Sequence, residues 1–322
     1  MEYQAPMMSL SVFVGVISIL VGIWAAIIFL LRLYRLPKFP KSRVDAFLQK
    51  AWRGPVAHRG GVPENTLGAF RVSKSQGASG VEVDLTFSKD GHPVLLHDAT
   101  VDRTASNGSG RVADLTLKQL RELDVGIKYG SEFAGERIPT LNGALDVCEE
   151  LDLVLFLELK GGSTDNVLRT IKEMFLERPH LADRVCLVSF WPWMLYKVRR
   201  MDPKIMCGFT IRREELQYTT SGEPKNQELW KHILAGLVDR AVFWSTHTWL
   251  WEVLGISLLL PYKGDILEKR IDPDLWYGRG VRLVTWTVNS DDEKTHFENV
   301  LRMPYMTDYV RRQGQRYQAD TV

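Results

Sequence analysis

Cysteine is scarce. Cys148, Cys186 and Cys207 stand far apart in 322 residues, too few for a disulfide framework and with no CxxC pair to hold a metal. Neither sign of charge dominates: 41 basic residues face 39 acidic ones, a formal net charge of +2. That argues against a nucleic-acid binder driven by bulk charge. No GxGxxG or Walker sequence follows any β-rich run, which weighs against an open sheet built to bind nucleotide phosphates. No internal repeat is visible either. Hydrophobic residues at 45% and charged residues at 25% are globular values, which sets aside a disordered, collagen-like or coiled-coil chain.

One long apolar run is present. Met7–Leu31 holds 25 residues without a charge, enough to span a hydrocarbon core of about 30 Å with some tilt. A cleaved signal peptide fits less well, because its apolar stretch is shorter and follows a base, whereas Glu2 is the only charge ahead of this one. The expectation is an N-terminal transmembrane helix over 7–31 after a short tail, 1–6. Arg32, Arg35, Lys38, Lys41 and Arg43 follow before any acid. By the positive-inside rule they place the body in the cytosol, and they suit anionic head groups or simply flank a helix end. Pro37 and Pro40 suggest a stiff spacer within a basic linker, 32–53.

From Gly54 to about residue 312 short β-rich runs alternate with helical stretches. The strand candidates are PVAH, GVEVDLTF, DGHPVLLHD, LVLFLELK, VCLVSF, IMCGFTIR, VRLVTWTV and MPYMTDYV. Such βα alternation over this length predicts a TIM (β/α)8 barrel, followed by a tail, 313–322. Two segments interrupt it. Residues 99–137 are polar and rich in Gly, Asp, Ser and Thr, and read as an inserted subdomain. Residues 212–261 begin polar and turn strongly apolar, with Trp244, Trp249 and Trp251 close together. This insertion is expected to lie in a membrane interface with its tryptophans at head-group depth. A protein or oligomer contact through 232–261 is a second reading, and a second span over 241–261 a third. A span there would carry Glu252 through lipid and put the last strands across the bilayer from the rest of the barrel.

The polar residues at strand ends carry the chemistry. His58 and Arg59 close the first run. Glu82 and Asp84, two apart, share one strand face. His97 ends the run after Gly91, and Glu158 and Lys160 form a second i, i+2 pair. Each taken alone reads as a solvated face, a surface histidine or a surface ion pair. In a barrel, however, strand C-termini converge on one mouth. Three carboxylates gathered there repel one another, and a divalent cation resolves that repulsion. Oxygen-only ligands favour Mg²⁺ or Ca²⁺ over zinc.

HRGGVPENTLGAF, GVEVDLTFSKDGHPVLLHDATVDRT, IPTL, LFLELKG and VTWTVN resemble the glycerophosphodiester phosphodiesterase family over about residues 56–310. The apolar N-terminus and tryptophan-rich insertion are most similar to its membrane-bound branch. The resemblance implies a TIM barrel with a subdomain inserted after an early strand. It implies His58 and His97 as the acid–base pair, Glu82, Asp84 and Glu158 as ligands of Mg²⁺ (alternatively Ca²⁺), and Arg59 and Lys160 as phosphate contacts. Some relatives carry Asp where Glu158 stands. Trp286 falls at an aromatic pocket wall, though barrel core accounts for it equally.

The implied reaction is hydrolysis of glycerophosphodiesters to glycerol 3-phosphate and an alcohol, by attack of the substrate's own 2-hydroxyl and then opening of a cyclic phosphate. Glycerophosphoinositol, glycerophosphocholine, glycerophosphoethanolamine with its N-acylated forms, and lysophospholipids are the implied substrates. A barrel phospholipase C or D, or a membrane scaffold with a secondary or lost activity, are the alternatives. The expected location is an integral membrane protein of endoplasmic reticulum, endomembrane or plasma membrane. Asn107-Gly108-Ser109 is a glycosylation sequon. Such triplets arise often by chance; the resemblance alone favours the lumenal or extracellular side, against the juxtamembrane bases.

Overall fold

The computed structural model describes residues 10–219 and 222–312, with the side chains of 10–17, 20 and 23 left outside that description. Helix α1 runs Leu10–Tyr34 and α2 runs Lys41–Ala51. Strand β1 is Val56–Ala57, α3 Leu67–Ser75, β2 Gly80–Phe87 and β3 Pro93–Leu95. Next come α4 (Leu117–Glu122), α5 (Leu141–Glu150), β4 (Val154–Leu159) and α6 (Thr164–Glu177). Strand β5 (Val185–Ser189), α7 (Pro192–Met201), β6 (Cys207–Ile211), α8 (Leu229–Ser245), α9 (Trp251–Leu254) and β7 (Leu258–Pro261) follow. The chain closes with α10 (Lys263–Leu267), α11 (Pro273–Gly278), β8 (Arg282–Leu283), α12 (Asp291–Asn299) and β9 (Met306–Thr307).

Eight strands are parallel, in the order β8-β7-β6-β5-β4-β2-β1-β9. A parallel bridge from Thr285 to Tyr305 joins the two ends and closes a TIM-like barrel. The expected run DGHPVLLHD does hold a strand, β3, but it pairs antiparallel with β2 and stands outside the ring. The eighth barrel strand is instead β7, inside the segment read as an apolar insertion. LLLP follows a continuous apolar stretch, so no alternation marks where helix ends and strand begins. The available punctuation is Gly255, which caps α9 at φ 61° as helix-ending glycines do. A Cβ there would lie 2.4 Å from the Pro37 carbonyl oxygen.

The second span considered for 241–261 is therefore corrected, because its last residues are a barrel strand paired on both sides. Nor do all its tryptophans face outward. Trp251 is buried against Trp276, at 6.2 Å between ring centroids, while Trp244 is exposed. Along α8, Leu229, Trp230, Ile233, Leu234, Leu237 and Val238 are exposed with Trp244, an apolar stripe at helical spacing.

Among the described residues no helix is long and apolar enough to cross a membrane. The expected span Met7–Leu31 extends into residues that lie outside the description, as do the tails 1–6 and 313–322.

The segment read as a linker contains α2. Val44, Phe47, Leu48 and Ala51 form its buried face, at the spacing of one helical stripe. They pack with Val56, Phe156, Met206 and Leu258 in the barrel interior, and the Phe47 and Phe156 rings meet edge-on at 5.1 Å. The bases of this segment are partly engaged too. Arg43 pairs with Asp183 at 2.8 Å, Arg35 with Glu252 at 3.4 Å, and Lys38 donates to the Arg279 carbonyl at 2.7 Å. Residues 99–137 surround a small core of their own, with Val101, Val112, Leu120 and Val125 buried beside Val94 and Leu96.

Phe47→Ala is expected to cost about 3–5 kcal/mol of stability, the range for truncating a buried phenylalanine. Replacing the neighbouring exposed Trp52 should change it by less than about 0.5 kcal/mol. Denaturant unfolding in detergent checks the contrast.

Candidate active site

β2 and β4 lie side by side, with Asp84 opposite Glu158 and Glu82 opposite Phe156. Residues two apart share a face, so this register puts all three carboxylates at one end of the barrel interior. One oxygen from each lies within 4.8 Å of those of the other two. Glu82 is 4% exposed and Asp84 1%. Lys160, one turn of the pleat beyond Glu158, brings Nζ to 3.1 Å from Asp84 and 3.4 Å from Glu158.

This charge is unevenly compensated. Burial pushes Glu158 up to about 7, aided by Asp84 and Glu82 and opposed by Lys160. Glu82 is likewise raised, by burial and then by Asp84. Asp84 is held well below the ordinary carboxylate range: against its burial stand Lys160, His97, Arg59 and the Asn65 amide. Lys160 stays firmly charged, since the three carboxylates outweigh its burial. A buried all-oxygen trio still short of positive charge fits a hard divalent cation.

His58 and Arg59 sit in a tight turn after β1. Arg59 (φ 52°), Gly60 (φ 74°) and Gly61 (φ 97°) all take left-handed backbone. Gly60 is required twice over, because a Cβ there would also lie 2.1 Å from the Phe70 ring. The turn aims the Arg59 amide at Glu82 Oε2, at 2.9 Å. The Arg59 side chain reaches Glu64 at 3.3 Å and lies 4.0 Å from Asp84.

His58 Nδ1 is 2.6 Å from Asp308 Oδ1, and Nε2 is 3.8 Å from Glu82. Asp308 is held below its usual range against its burial by His58 and Asn289, so it is a carboxylate and Nδ1–H is the donor. Burial would lower the His58 pKa, but Asp308 and Glu82 outweigh it and the net shift is upward. His97 follows β3, with Nδ1 2.7 Å from Asp98. Here burial wins over Asp84, helped by Lys160 and Arg59, and the pKa is lowered.

His58, Arg59, Glu82, His97, Glu158 and Lys160 all line one cavity of about 680 Å³. Asp84 lies just beneath it, bonded to Lys160. Trp286 forms part of the same wall, with Phe190 and Tyr262 at 5.5 and 5.4 Å between centroids. Its indole donates to the Leu260 carbonyl at 2.9 Å, so it belongs to core and pocket at once. Asn107 lies far along the inserted subdomain, exposed, its amide bridging the Glu122 carbonyl and the Asp124 N–H.

Sequence reasoning missed several residues of this site. Asp308 directly follows β9, so the strand-end rule that selected the histidines also reaches it. Asn65 donates to Asp84 at 2.9 Å and accepts from its N–H at 3.1 Å. Its left-handed backbone (φ 56°) is one asparagine tolerates. Asp98, Glu64 and their partner Arg103 all fall within the motifs quoted above, but nothing local singles any of them out.

Comparison with known proteins agrees with this geometry. The sequence pattern of the glycerophosphoryl diester phosphodiesterase family matches residues 57–312. Glycerophosphodiester phosphodiesterase 1 of Mus musculus is 39% identical over 289 residues, covering 87% of this chain and 85% of that protein. The Homo sapiens protein of the same name is 37% identical over 285 residues with the same coverage. Among solved structures, a phosphodiesterase of Oleispira antarctica in complex with its product sn-glycerol-3-phosphate superposes with a TM-score of 0.60 at 24% identity, over 80% of this chain and 93% of that one. A glycerophosphodiester phosphodiesterase of Agrobacterium tumefaciens gives 0.59 at 20% identity, over 80% and 96%. The barrel, its acidic trio and a family match spanning the whole barrel agree: the chain belongs to the glycerophosphoryl diester phosphodiesterase family, and is a hydrolase of that class.

Proposed function

We propose that this chain is a membrane-anchored, cation-dependent hydrolase that releases glycerol 3-phosphate and an alcohol from glycerophosphodiesters. The observation that carries this reading is two histidines, each backed by a carboxylate, facing one buried acidic trio across a single cavity. The soluble and N-acylated glycerophosphodiesters are its substrates, and a lysophospholipid would release the same alcohol with an acylglycerol 3-phosphate. The product seen in the Oleispira antarctica structure is the one expected here.

Glu82, Asp84 and Glu158 would hold Mg²⁺ or Ca²⁺. When bound, such a cation supplies Lewis-acid stabilisation of charge on a phosphoryl oxygen. Arg59 and Lys160 add fixed positive charge beside the phosphate. His58, with Nδ1–H committed to Asp308, offers Nε2 as base to the glycerol 2-hydroxyl. As that oxygen bonds to phosphorus, the bond to the leaving alcohol breaks, and His97 Nε2 delivers the proton that oxygen needs. The roles then exchange when water opens the cyclic phosphate, so both histidines end as they began.

His58→Ala and His97→Ala should each lower kcat by about 10²–10⁴-fold, the range for an acid–base group, with unchanged unfolding midpoints. In single-turnover release of p-nitrophenol from a glycerophosphodiester with that leaving group, a step that needs no acid, the His97→Ala loss should largely vanish and the His58→Ala loss persist. The opposite rescue would exchange the two roles, and full activity of both variants would refute them. Chelation with EDTA should abolish turnover of the wild type, and added Mg²⁺ should restore it.

The apolar stripe of α8 is read as resting on the bilayer beside the anchor. Two observations support this. The end of α1 is tied to α9 through Leu36 N–H to the Val253 carbonyl at 2.9 Å and the Arg35–Glu252 pair, and α9 continues α8. The neck before α8 reaches the cavity through Arg212, Glu215 and Lys225, so the stripe lies between anchor and mouth. Replacing Trp230, Leu234 and Leu237 by Gln should depress hydrolysis of a lysophospholipid in vesicles several-fold while leaving glycerophosphocholine turnover unchanged. Equal effects on both would remove the membrane role.

The barrel is read as facing the lumen or cell exterior, and the exposure of Asn107 supports it. A mobility shift on deglycosylation that Asn107→Gln abolishes is the expected result, and its absence would favour the cytosolic side.

A further inference from the structure

Arg103 does not line the cavity and belongs to the inserted subdomain, yet its three donor nitrogens all point at the catalytic machinery. Nε donates to Asp98 Oδ2 at 2.6 Å. The two terminal nitrogens form a fork on Glu64, at 2.6 and 2.7 Å. Asp98 is the residue that holds His97 Nδ1, at 2.7 Å, and Glu64 is the residue that accepts from Arg59, at 3.3 Å. An unbroken chain of hydrogen bonds therefore runs His97–Asp98–Arg103–Glu64–Arg59.

We propose that Arg103 is a positioning residue, which fixes His97 and Arg59 relative to one another from outside the cavity by clamping the carboxylate behind each. This rests on the roles given above to those two groups.

Asp98 has one oxygen on His97 and the other on Arg103, so its plane, and with it the imidazole it orients, is held from both sides. Arg103 and His97 keep Asp98 at about 2 against its burial. It remains a pure acceptor, His97 must donate through Nδ1–H, and Nε2 is the nitrogen left for the reacting oxygen. Glu64 is fixed in the same way, by the Arg103 fork and by the Tyr129 hydroxyl at 3.2 Å. Its hold on Arg59 steers a guanidinium whose Nε is buried without a hydrogen-bond partner.

Lysine cannot replace this arrangement, because a single ammonium presents no planar fork to one carboxylate while serving a second. The subdomain secures the arginine in turn, for Lys128 Nζ donates to the carbonyls of Asp102 and Arg103 at 2.8 and 3.2 Å. The inference gives residues 99–137 a task in the reaction although, apart from Tyr129, they keep clear of the cavity wall.

The test is a double-mutant cycle on the full-length protein in detergent, with glycerophosphocholine as substrate. Arg103→Ala should lower kcat by about 10–100-fold, the effect of removing the partner that orients a ligating or catalytic group. Arg103→Lys should lose most of that as well, with an unfolding midpoint like that of the wild type. In a His97→Ala background the further loss from Arg103→Ala should shrink to a few-fold, since one of the two groups it positions is gone.

The same loss factor in both backgrounds, or wild-type kcat from Arg103→Lys, would overturn the inference and leave the proposed function standing. Wild-type turnover by His97→Ala alone would instead overturn the role given to His97. Should Arg103→Ala fail to fold, Arg103→Lys and Asp98→Asn carry the cycle by themselves.

Discussion

Carboxylates crowded in a low-dielectric interior repel one another, and a fold that gathers three of them must supply opposing charge or see them protonate. The pairing of β2 with β4 imposes that condition here, because a single register sets Glu82, Asp84 and Glu158 together. Much of the surrounding structure answers it. Lys160 closes on two of the three, the turn after β1 aims the Arg59 amide at a third, and Asn65 bends into left-handed backbone to bind Asp84 twice. Slipping one of these two strands by one residue would turn its carboxylates to the other face and break up the trio.

The two histidines occupy unlike settings. His58 stands on the last strand's carboxylate and near Glu82, and so gains proton affinity. His97 is buried, with Lys160 and Arg59 adding to the effect, and loses it. Two imidazoles of one ordinary pKa are thereby pushed apart. Both use Nδ1 toward a carboxylate, so both turn the same nitrogen toward the reaction.

The barrel and its centre were legible because their signals are local. Alternating strands ending in His, Glu-x-Asp or Glu-x-Lys carry their own polarity, and the fold rule brings strand ends together. What was not legible depended on partners distant in the chain. Asp308 is an ordinary aspartate until β9 closes beside β1. Arg103 is one arginine in a polar stretch until Asp98 and Glu64 meet it. Strand β7 hid within a longer apolar run, and β3 looked like a barrel strand because an outward hairpin has the same alternation. Helix α2 reads as a spacer because prolines and bases surround a short apolar stripe whose docking site, Val56 apart, is composed largely of residues more than a hundred positions away.

That last helix has a mechanical consequence. Since α2 packs against Val56, Phe156 and Leu258 of the barrel strands, and Pro37 lies hard against the glycine that ends α9, the segment after α1 is packed on the body rather than a free spacer. Whatever holds α1 also sets the tilt of the cup, and with it the direction from which molecules enter. For the same reason, a fragment freed of α1 should begin no later than Phe39, or the barrel would lose that packing.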